Sequence, residues 1–272
     1  MMNTEFMKGV VVPILTVIDG NEKIDEAGMR DQVEYVIKGG VSGILAFGSN
    51  GEFYMVEEDE MERGLRIMVD QAAGRVPVYF GIGAISTKKC CRLARMAVAN
   101  GAAAVSVLQP MFLKPTYAEL YDHFKTIAES VPETPVLLYN NPGRVGYTLS
   151  AQLVEELAHT VPNIVGMKDT ISGMDHTREL IKVVKSQIPS FEIYSGFDDN
   201  FAHNVLAGGN GCIGALSNVV PEVCSAWVRA FRENDLDGIA RGQQTIDRLM
   251  DLYAVRSPFL PVIKEACKLR GV

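Results

Sequence analysis

The sequence lacks any run approaching the roughly 20 apolar residues needed to cross a bilayer. Its opening, "MMNTEFMKGV", lacks the charged segment followed by an apolar one that marks a secretory leader. Together these predict a cytoplasmic protein with no membrane span. An excess of positive charge is also missing. With 26 Lys and Arg against 33 Asp and Glu the net charge is −7, and the two signs are scattered, so no basic stripe exists to hold nucleic acid or an anionic membrane. Small molecules are the expected partners. The five cysteines are an odd number, with Cys90 and Cys91 adjacent and none in C-x-x-C spacing, which suits reduced thiols rather than a disulfide frame or a zinc site. The four histidines, His123, His159, His176 and His203, form no H-x-H or H-x-x-x-H pair, so metal ligation is not expected.

What is present is apolar and periodic. Of 272 residues, 47% are apolar, enough for a substantial core in one large α/β domain or two small ones. Eight apolar runs of strand length recur: "GVVVPILT", "VSGILAFG", "VPVYFGIG", "AAAVSVLQP", "PVLLYNNP", "NIVGMKDT", "FEIYSGF" and "GCIGALS". Helix-period segments lie between them. In "EEDEMERGLRIMVDQAAG" the residues Met61, Leu65, Met68, Val69 and Ala72 share one helical face, with acidic residues in the first turn. Ser86 is placed to cap the next helix, which should end at Asn100-Gly101. Strand and helix alternating eight times, with strands too apolar to face water on either side, predict an α/β fold of the (β/α)8 TIM-barrel type. An open doubly wound sheet is the main rival. Residues 1–220 are expected to form the barrel. Residues 221–272, with helical segments near Pro221 to Arg232, Asp235 to Tyr253 and Pro258 to Leu269, are expected to form a small C-terminal helical extension, with no low-complexity linker before it.

In "NIVGMKDT" a lysine ends an apolar run. Counting alternate residues along a barrel strand places Lys168 on the inward face with Ile164 and Gly166, the glycine leaving space beside it. The strand's C-terminal end is where barrel active sites sit. An ammonium in such a pocket is destabilised relative to the amine, and a nucleophilic amine is what Schiff-base carbonyl chemistry needs. The competing reading is a structural ion pair with Asp169, Glu52 or another carboxylate at the mouth. Tyr139 ends strand five in "LLYNNPGRVG", where a phenol can relay protons during imine formation or simply pack. In "GSNGE", Gly48 to Glu52, the glycines allow close backbone approach, and the turn N–H groups with the Ser49 hydroxyl can hold a carboxylate; a turn alone would look the same. Gly209, Gly211 and Gly214 match G-x-G-x-x-G by letter but precede and enter strand eight, which excludes a dinucleotide fingerprint. Asp198 and Asp199 are expected to cap the helix after strand seven, with substrate hydroxyls or a cation as the alternative. The loops after strands seven and eight lack the glycine-rich turn of many barrel phosphate sites, so phosphorylated substrates are not expected.

The segments "GSNGEF", "GIGA", "LYNNPGRVG", "GMKDT", "SGFDDN" and "GGNGCIGALSN", in this order over nearly the whole chain, resemble the dihydrodipicolinate synthase/N-acetylneuraminate lyase family of pyruvate-dependent class I aldolases. The resemblance implies that Lys168 forms a Schiff base with pyruvate or a 2-keto acid and that Tyr139 shuttles protons. It implies that Ser49, Asn50 and Gly51 bind the pyruvate carboxylate, that the backbone of Ile213 lines the pocket, and that the protein is a homotetramer without metal or organic cofactor. Arg144 stands where the synthases meet the carboxylate of the aldehyde. Asn50 falls at the second threonine of "GTTGE", which the resemblance assigns to a tyrosine–threonine–tyrosine relay, and Phe112 falls at the second tyrosine, which the resemblance implies is supplied by a neighbouring subunit. "GEF", "KDTI" and "SGFDDN" are similar to the 2-keto-3-deoxy-sugar-acid aldolase branch. Cleavage of such a sugar acid is the leading expectation. Dihydrodipicolinate formation from aspartate semialdehyde is the runner-up, and a keto-acid binding protein without turnover is the third.

Overall fold

The computed structural model describes residues 4–272; the first three residues of the N-terminal stretch read above lie outside the described residues. Strands and helices alternate along the chain as β1 (Gly9–Pro13), α1 (Glu26–Lys38), β2 (Gly43–Ala46), α2 (Glu58–Ala72), β3 (Val78–Ile82), α3 (Thr87–Ala99), β4 (Ala104–Leu108), α4 (Tyr117–Glu129) and β5 (Val136–Asn140). They continue as α5 (Pro142–Val145), α6 (Ala151–Thr160), β6 (Ile164–Asp169), α7 (Asp175–Leu180), β7 (Glu192–Ser195), α8 (Phe201–Leu206) and β8 (Gly211–Cys212), followed by α9 (Pro221–Glu233), α10 (Leu236–Leu249) and α11 (Leu260–Leu269). The strands pair in parallel in chain order, and β8 closes on β1 through Gly9 opposite Gly211 and Val10 opposite Cys212. Closure leaves no sheet edge, which removes the doubly wound rival and makes the fold a (β/α)8 barrel with further C-terminal helices. Among the described residues no helix is long and apolar enough to cross a membrane.

Local chemistry sets the helix boundaries. Ser86 accepts from the Lys89 N–H and α3 ends at Asn100; Asp25 and Ser150 cap α1 and α6 in the same way. Thr116 and Glu119 form a reciprocal capping box on α4. On α2 the residues Met61, Leu65, Met68 and Ala72 are buried, each large side chain contributing about 1.5–3 kcal/mol of hydrophobic stabilisation.

The strands alternate between two cores. Val11, Leu45, Tyr79, Ala104, Leu137, Tyr194 and Ile213 fill the barrel interior, with Met7 among them at the N-terminal end. Val12, Ile44, Phe80, Val105, Leu138, Met167 and Ile193 face the helices. Strand β6 departs from strict alternation. Val136 lies opposite Ile164 but Leu137 lies opposite Gly166, so Val165 is an extra residue, and it joins the interior cluster while Ile164 packs outside. Ile164 therefore does not share a face with Lys168, because a bulge reverses the alternation between them. Nor does Gly166 leave space: a Cβ there would stand 2.5 Å from the Glu192 carbonyl oxygen and 2.7 Å from Leu137 Cδ2.

Helix α9 packs against β1 and α1, and α10 packs on α9. Helix α11 lies over the 3-10 turn Ala215–Asn218 that follows β8. Phe201, Trp227, Ile246, Leu260 and Ile263 form a separate buried cluster there, with the Phe201 and Trp227 rings 4.6 Å apart edge to face.

Candidate active site

A cavity of about 530 Å³ opens at the C-terminal end of the barrel. It gathers Lys168 from β6, Tyr139 from β5, Ser49 and Asn50 from the loop after β2, and Arg144 from α5. Two other sequence-expected residues stand behind that lining. Gly51 is enclosed, its carbonyl accepting from Thr16 Oγ1 at 2.6 Å, and Ile213 is fully buried in the barrel interior. A larger hollow of about 830 Å³ at the opposite end of the barrel is walled by apolar side chains, with Glu133 as its one titratable group, so it offers no constellation for catalysis.

Lys168 is 4% exposed, and its Nζ lies 4.5 Å from the centre of the Tyr139 ring, a cation–π contact. The carboxylates that could have held it are engaged elsewhere. Asp169, the next residue, turns to the outer side of the strand. There it accepts from His176 Nδ1 at 3.0 Å, Thr177 Oγ1 at 2.7 Å and Asn140 Nδ2 at 2.8 Å. Glu52 pairs with Lys264 of α11. The ion-pair reading of Lys168 thus finds no partner among the described residues. His176 also meets the Leu149 carbonyl through Nε2 at 2.8 Å. Burial opposes its protonation, but the Asp169 carboxylate outweighs that and raises its pKa, as expected for a ring whose two nitrogens both face acceptors.

The Tyr139 oxygen lies 3.3 Å from Ser49 Oγ and accepts from Asn141 Nδ2 at 2.9 Å. Burial works against phenolate formation, yet the Lys168 ammonium, these hydrogen bonds and the Thr170 hydroxyl together bring the phenol below its ordinary pKa. Ser49 is the residue of the loop that reaches the phenol. Asn50 lines the cavity and makes no hydrogen bond to Tyr139, so at the relay position that the resemblance gives to Asn50 it is the residue before it that meets the tyrosine. Phe47 and Glu52 bracket this loop with φ of 50° and 54°, left-handed conformations that cost a non-glycine residue energy and persist where the surroundings impose them. Neither the Ser49 nor the Asn50 N–H donates to a described residue, so both remain able to meet an anion.

Behind the wall, Gln109 Nε2 donates to Asn140 Oδ1 at 3.1 Å and to the Tyr147 carbonyl at 2.7 Å, while its Oε1 accepts from the Asn141 N–H at 2.9 Å. This buried amide network fixes the end of β5. Arg144 sits at the rim on α5, which Gly146 terminates at φ 92°, and its guanidinium binds no described protein acceptor. Phe112 is not part of the cavity and is 94% exposed, at φ 75°.

Several lining residues were not singled out by sequence. Tyr253 and Phe259 arrive from the C-terminal helices, 85 or more residues after Lys168, and no local pattern announces them. Tyr253 donates to Asp198 Oδ2 at 2.7 Å, and Asp198 Oδ1 accepts from the Leu216 N–H at 3.2 Å. Burial pushes the Asp198 carboxyl up to about 6, against those hydrogen bonds. Neither Asp198 nor Asp199 caps a helix through its side chain, which corrects the capping expectation, because Asp198 is drawn inward to Tyr253 and the Leu216 N–H. Asn141 carried a usable signal: two residues past Tyr139, it falls on the same face of an extended chain. The G-x-G-x-x-G letters lead into β8 and the 3-10 turn Ala215–Asn218, with no helix start that could receive a pyrophosphate. All five cysteines are buried free thiols. Among the described residues no three His, Cys, Asp or Glu side chains converge as a metal site.

Comparison with known proteins gives a consistent set. The sequence model of the Dihydrodipicolinate synthetase family matches residues 6–272. The putative 2-dehydro-3-deoxy-D-gluconate aldolase YagE of Escherichia coli is 34% identical over 271 residues, covering 100% of this chain and 89% of that one. Its crystal structure in complex with pyruvate superposes with a TM-score of 0.95 over 97% of this chain and 88% of that one. The probable 2-dehydro-3-deoxy-D-pentonate aldolase YjhH of Escherichia coli is 35% identical, covering 97% and 87% of the two chains. A 4-hydroxy-tetrahydrodipicolinate synthase of Oleidesulfovibrio alaskensis is 36% identical, covering 84% and 76%.

Proposed function

The chain belongs to the dihydrodipicolinate synthetase family of aldolases and lyases, and from that premise we propose that it cleaves or forms a carbon–carbon bond between pyruvate and an aldehyde through a Schiff base on Lys168. The observation that carries this reading is a buried lysine with no carboxylate partner, its Nζ 4.5 Å from the centre of the Tyr139 ring. A lysine kept there for stability would have an ion pair.

In the cleavage direction the Lys168 amine adds to C2 of a 2-keto acid, and the carbinolamine loses water to give the iminium. The substrate carboxylate lies against the Ser49 and Asn50 N–H groups and the Ser49 hydroxyl. Tyr139 gives its proton to the hydroxyl that leaves as water, and the resulting phenolate then takes the proton of the C4 hydroxyl as the C3–C4 bond breaks and its electron pair moves through C2 to the iminium nitrogen. The aldehyde leaves and an enamine remains. Protonation at C3 and hydrolysis return pyruvate and the free amine. Synthesis runs the same steps in reverse, and no metal or organic cofactor enters them.

The substrate we favour is a 2-keto-3-deoxy sugar acid. Support comes from the relatives YagE and YjhH, named for such substrates, and from the polar groups Asn50, Asn141, Thr170 and Tyr253 around the cavity, which suit a hydroxylated chain. Arg144 at the rim favours one further reading, 4-hydroxy-tetrahydrodipicolinate formation, in which it would meet the carboxylate of aspartate semialdehyde. Steady-state assays separate the two: release of pyruvate from 2-keto-3-deoxy sugar acids is expected, and turnover confined to aspartate semialdehyde would overturn the substrate assignment. Binding of keto acids without any aldehyde release would leave only a binding protein. The exposed Phe112 suits a subunit contact, and a cytoplasmic homotetramer completes the proposal, checked by light scattering.

A further inference from the structure

Two side chains hydrogen-bond to the Tyr139 oxygen and differ in chemical kind, and the buried Thr170 hydroxyl stands nearby as a further polar neighbour. Ser49 Oγ, at 3.3 Å, can donate or accept. Asn141 Nδ2, at 2.9 Å, can only donate. The Asn141 amide is also held in place: it is buried, its backbone N–H donates to Gln109 Oε1 at 2.9 Å, and Gln109 is anchored to Asn140 and Tyr147. A donor fixed on the phenol oxygen cannot take the phenolic hydrogen, so that hydrogen is left to point to the Ser49 or Thr170 hydroxyl or into the cavity. When it leaves, the amide N–H remains to hold the negative oxygen.

We propose that Asn141 is the positioning residue for Tyr139, directing its single proton toward Ser49 and the reacting substrate and stabilising the phenolate that forms when the proton departs. The inference deepens the Schiff-base reading and rests on it for its catalytic meaning. Asn141 supplies from within the chain a fixed contact to the phenol, but an amide N–H is not a proton carrier, so proton exchange passes through the neighbouring hydroxyls and the substrate. The other charged groups at this end of the barrel are few. Lys168 on β6 faces the ring, Arg144 on α5 stands at the rim, Glu52 after β2 is paired with Lys264, and Asp198 after β7 is bonded to Tyr253. None of these donates a hydrogen bond to the phenol oxygen. The lowered ionisation of Tyr139, in which burial is offset by Lys168, Ser49, Asn141 and Thr170, agrees with the geometry.

The test compares wild type with Asn141→Val, which deletes the donor, and Asn141→Asp, which keeps the shape but replaces the N–H by oxygen. Tyr139→Phe identifies the relevant tyrosine in an ultraviolet phenolate titration. A hydrogen bond to a charged acceptor changes an equilibrium by roughly 10- to 100-fold, so both Asn141 variants should raise the Tyr139 ionisation by about one to two pH units. Enzyme-catalysed deuterium exchange at the pyruvate methyl group should fall by at least about tenfold near neutrality, with its rise against pH displaced upward by the same interval. Borohydride trapping of pyruvate on Lys168 should persist in Asn141→Val. An unmoved Tyr139 ionisation in folded variants, shown by unchanged thermal melts, overturns the proposal whatever the activity. A trapped adduct with an unmoved exchange profile overturns it as well. Failure to trap pyruvate on wild type contradicts the Schiff-base reading instead, and the titration still decides whether Asn141 governs the phenol.

Discussion

Replacing His176 by leucine should destabilise the protein strongly and in a pH-dependent way. The ring bridges Asp169, the residue after Lys168, and the Leu149 carbonyl, with both nitrogens engaged at 3.0 and 2.8 Å. The Asp169 side chain is fully buried and that of His176 is 10% exposed, so solvent screens the pair little. Removing one partner of a buried pair leaves the Asp169 carboxylate with only the neutral donors Thr177 and Asn140, at a cost of about 3–5 kcal/mol. At about 2–4 °C per kcal/mol for a chain of this size, the midpoint of thermal unfolding should drop by roughly 6–20 °C. His176 has its folded pKa raised above the unfolded value. Its contribution is therefore whole below about pH 6.5 and disappears as the pH climbs through the folded value. Urea unfolding of wild type and His176→Leu at about pH 6 and about pH 9 should show a larger difference at the lower pH. A loss under about 1 kcal/mol, or one that is the same at both pH values, would refute the imidazolium–carboxylate account.

His123 should act in the opposite direction. Its ring is buried, with Nδ1 2.8 Å from Thr87 Oγ1 and Nε2 without a partner among the described residues, and burial lowers its pKa to about 4. Stability present above about pH 6.5 should be lost as the pH falls toward 4, by roughly 3 kcal/mol in total; an NMR titration placing His123 near 6.5 would contradict this. Gly166→Ala should cost about 1–3 kcal/mol, because the new Cβ would meet the Glu192 carbonyl at 2.5 Å, and should slow adduct formation two residues away; an unchanged denaturation midpoint would count against it. Lys168→Met should leave the melting temperature unchanged or raised while abolishing adduct formation, since the lysine has no ion pair to lose; a fall of several degrees would mark a structural lysine.

The barrel was legible because a strand buried on both faces must be apolar throughout, and eight such runs leave little choice of fold. Caps were legible for the same local reason: Ser86 needs only its own helix. The face of Lys168 was reached by a flawed count. Alternation from Ile164 ignores the extra residue Val165, and a bulge of one residue leaves no mark in an all-apolar run. Ser49 rather than Asn50 hydrogen-bonds to Tyr139, in a loop bracketed by the left-handed residues Phe47 and Glu52, a conformation that no local pattern of residues announces. Asp198 was expected as a cap from its spacing, yet its partner Tyr253 lies 55 residues further on. Lys264 on Glu52 is separated by 212 residues. Contacts of that span belong to the folded surface, and pattern within one segment cannot express them.

The central claim is that Lys168 is buried in order to react. Incubation with pyruvate, reduction by borohydride and peptide mass spectrometry, with Lys168→Ala as control, tests it most directly. The account predicts a single reduced adduct on Lys168 that is absent in the variant. No adduct with pyruvate or longer 2-keto acids, or an adduct on another lysine, would contradict it.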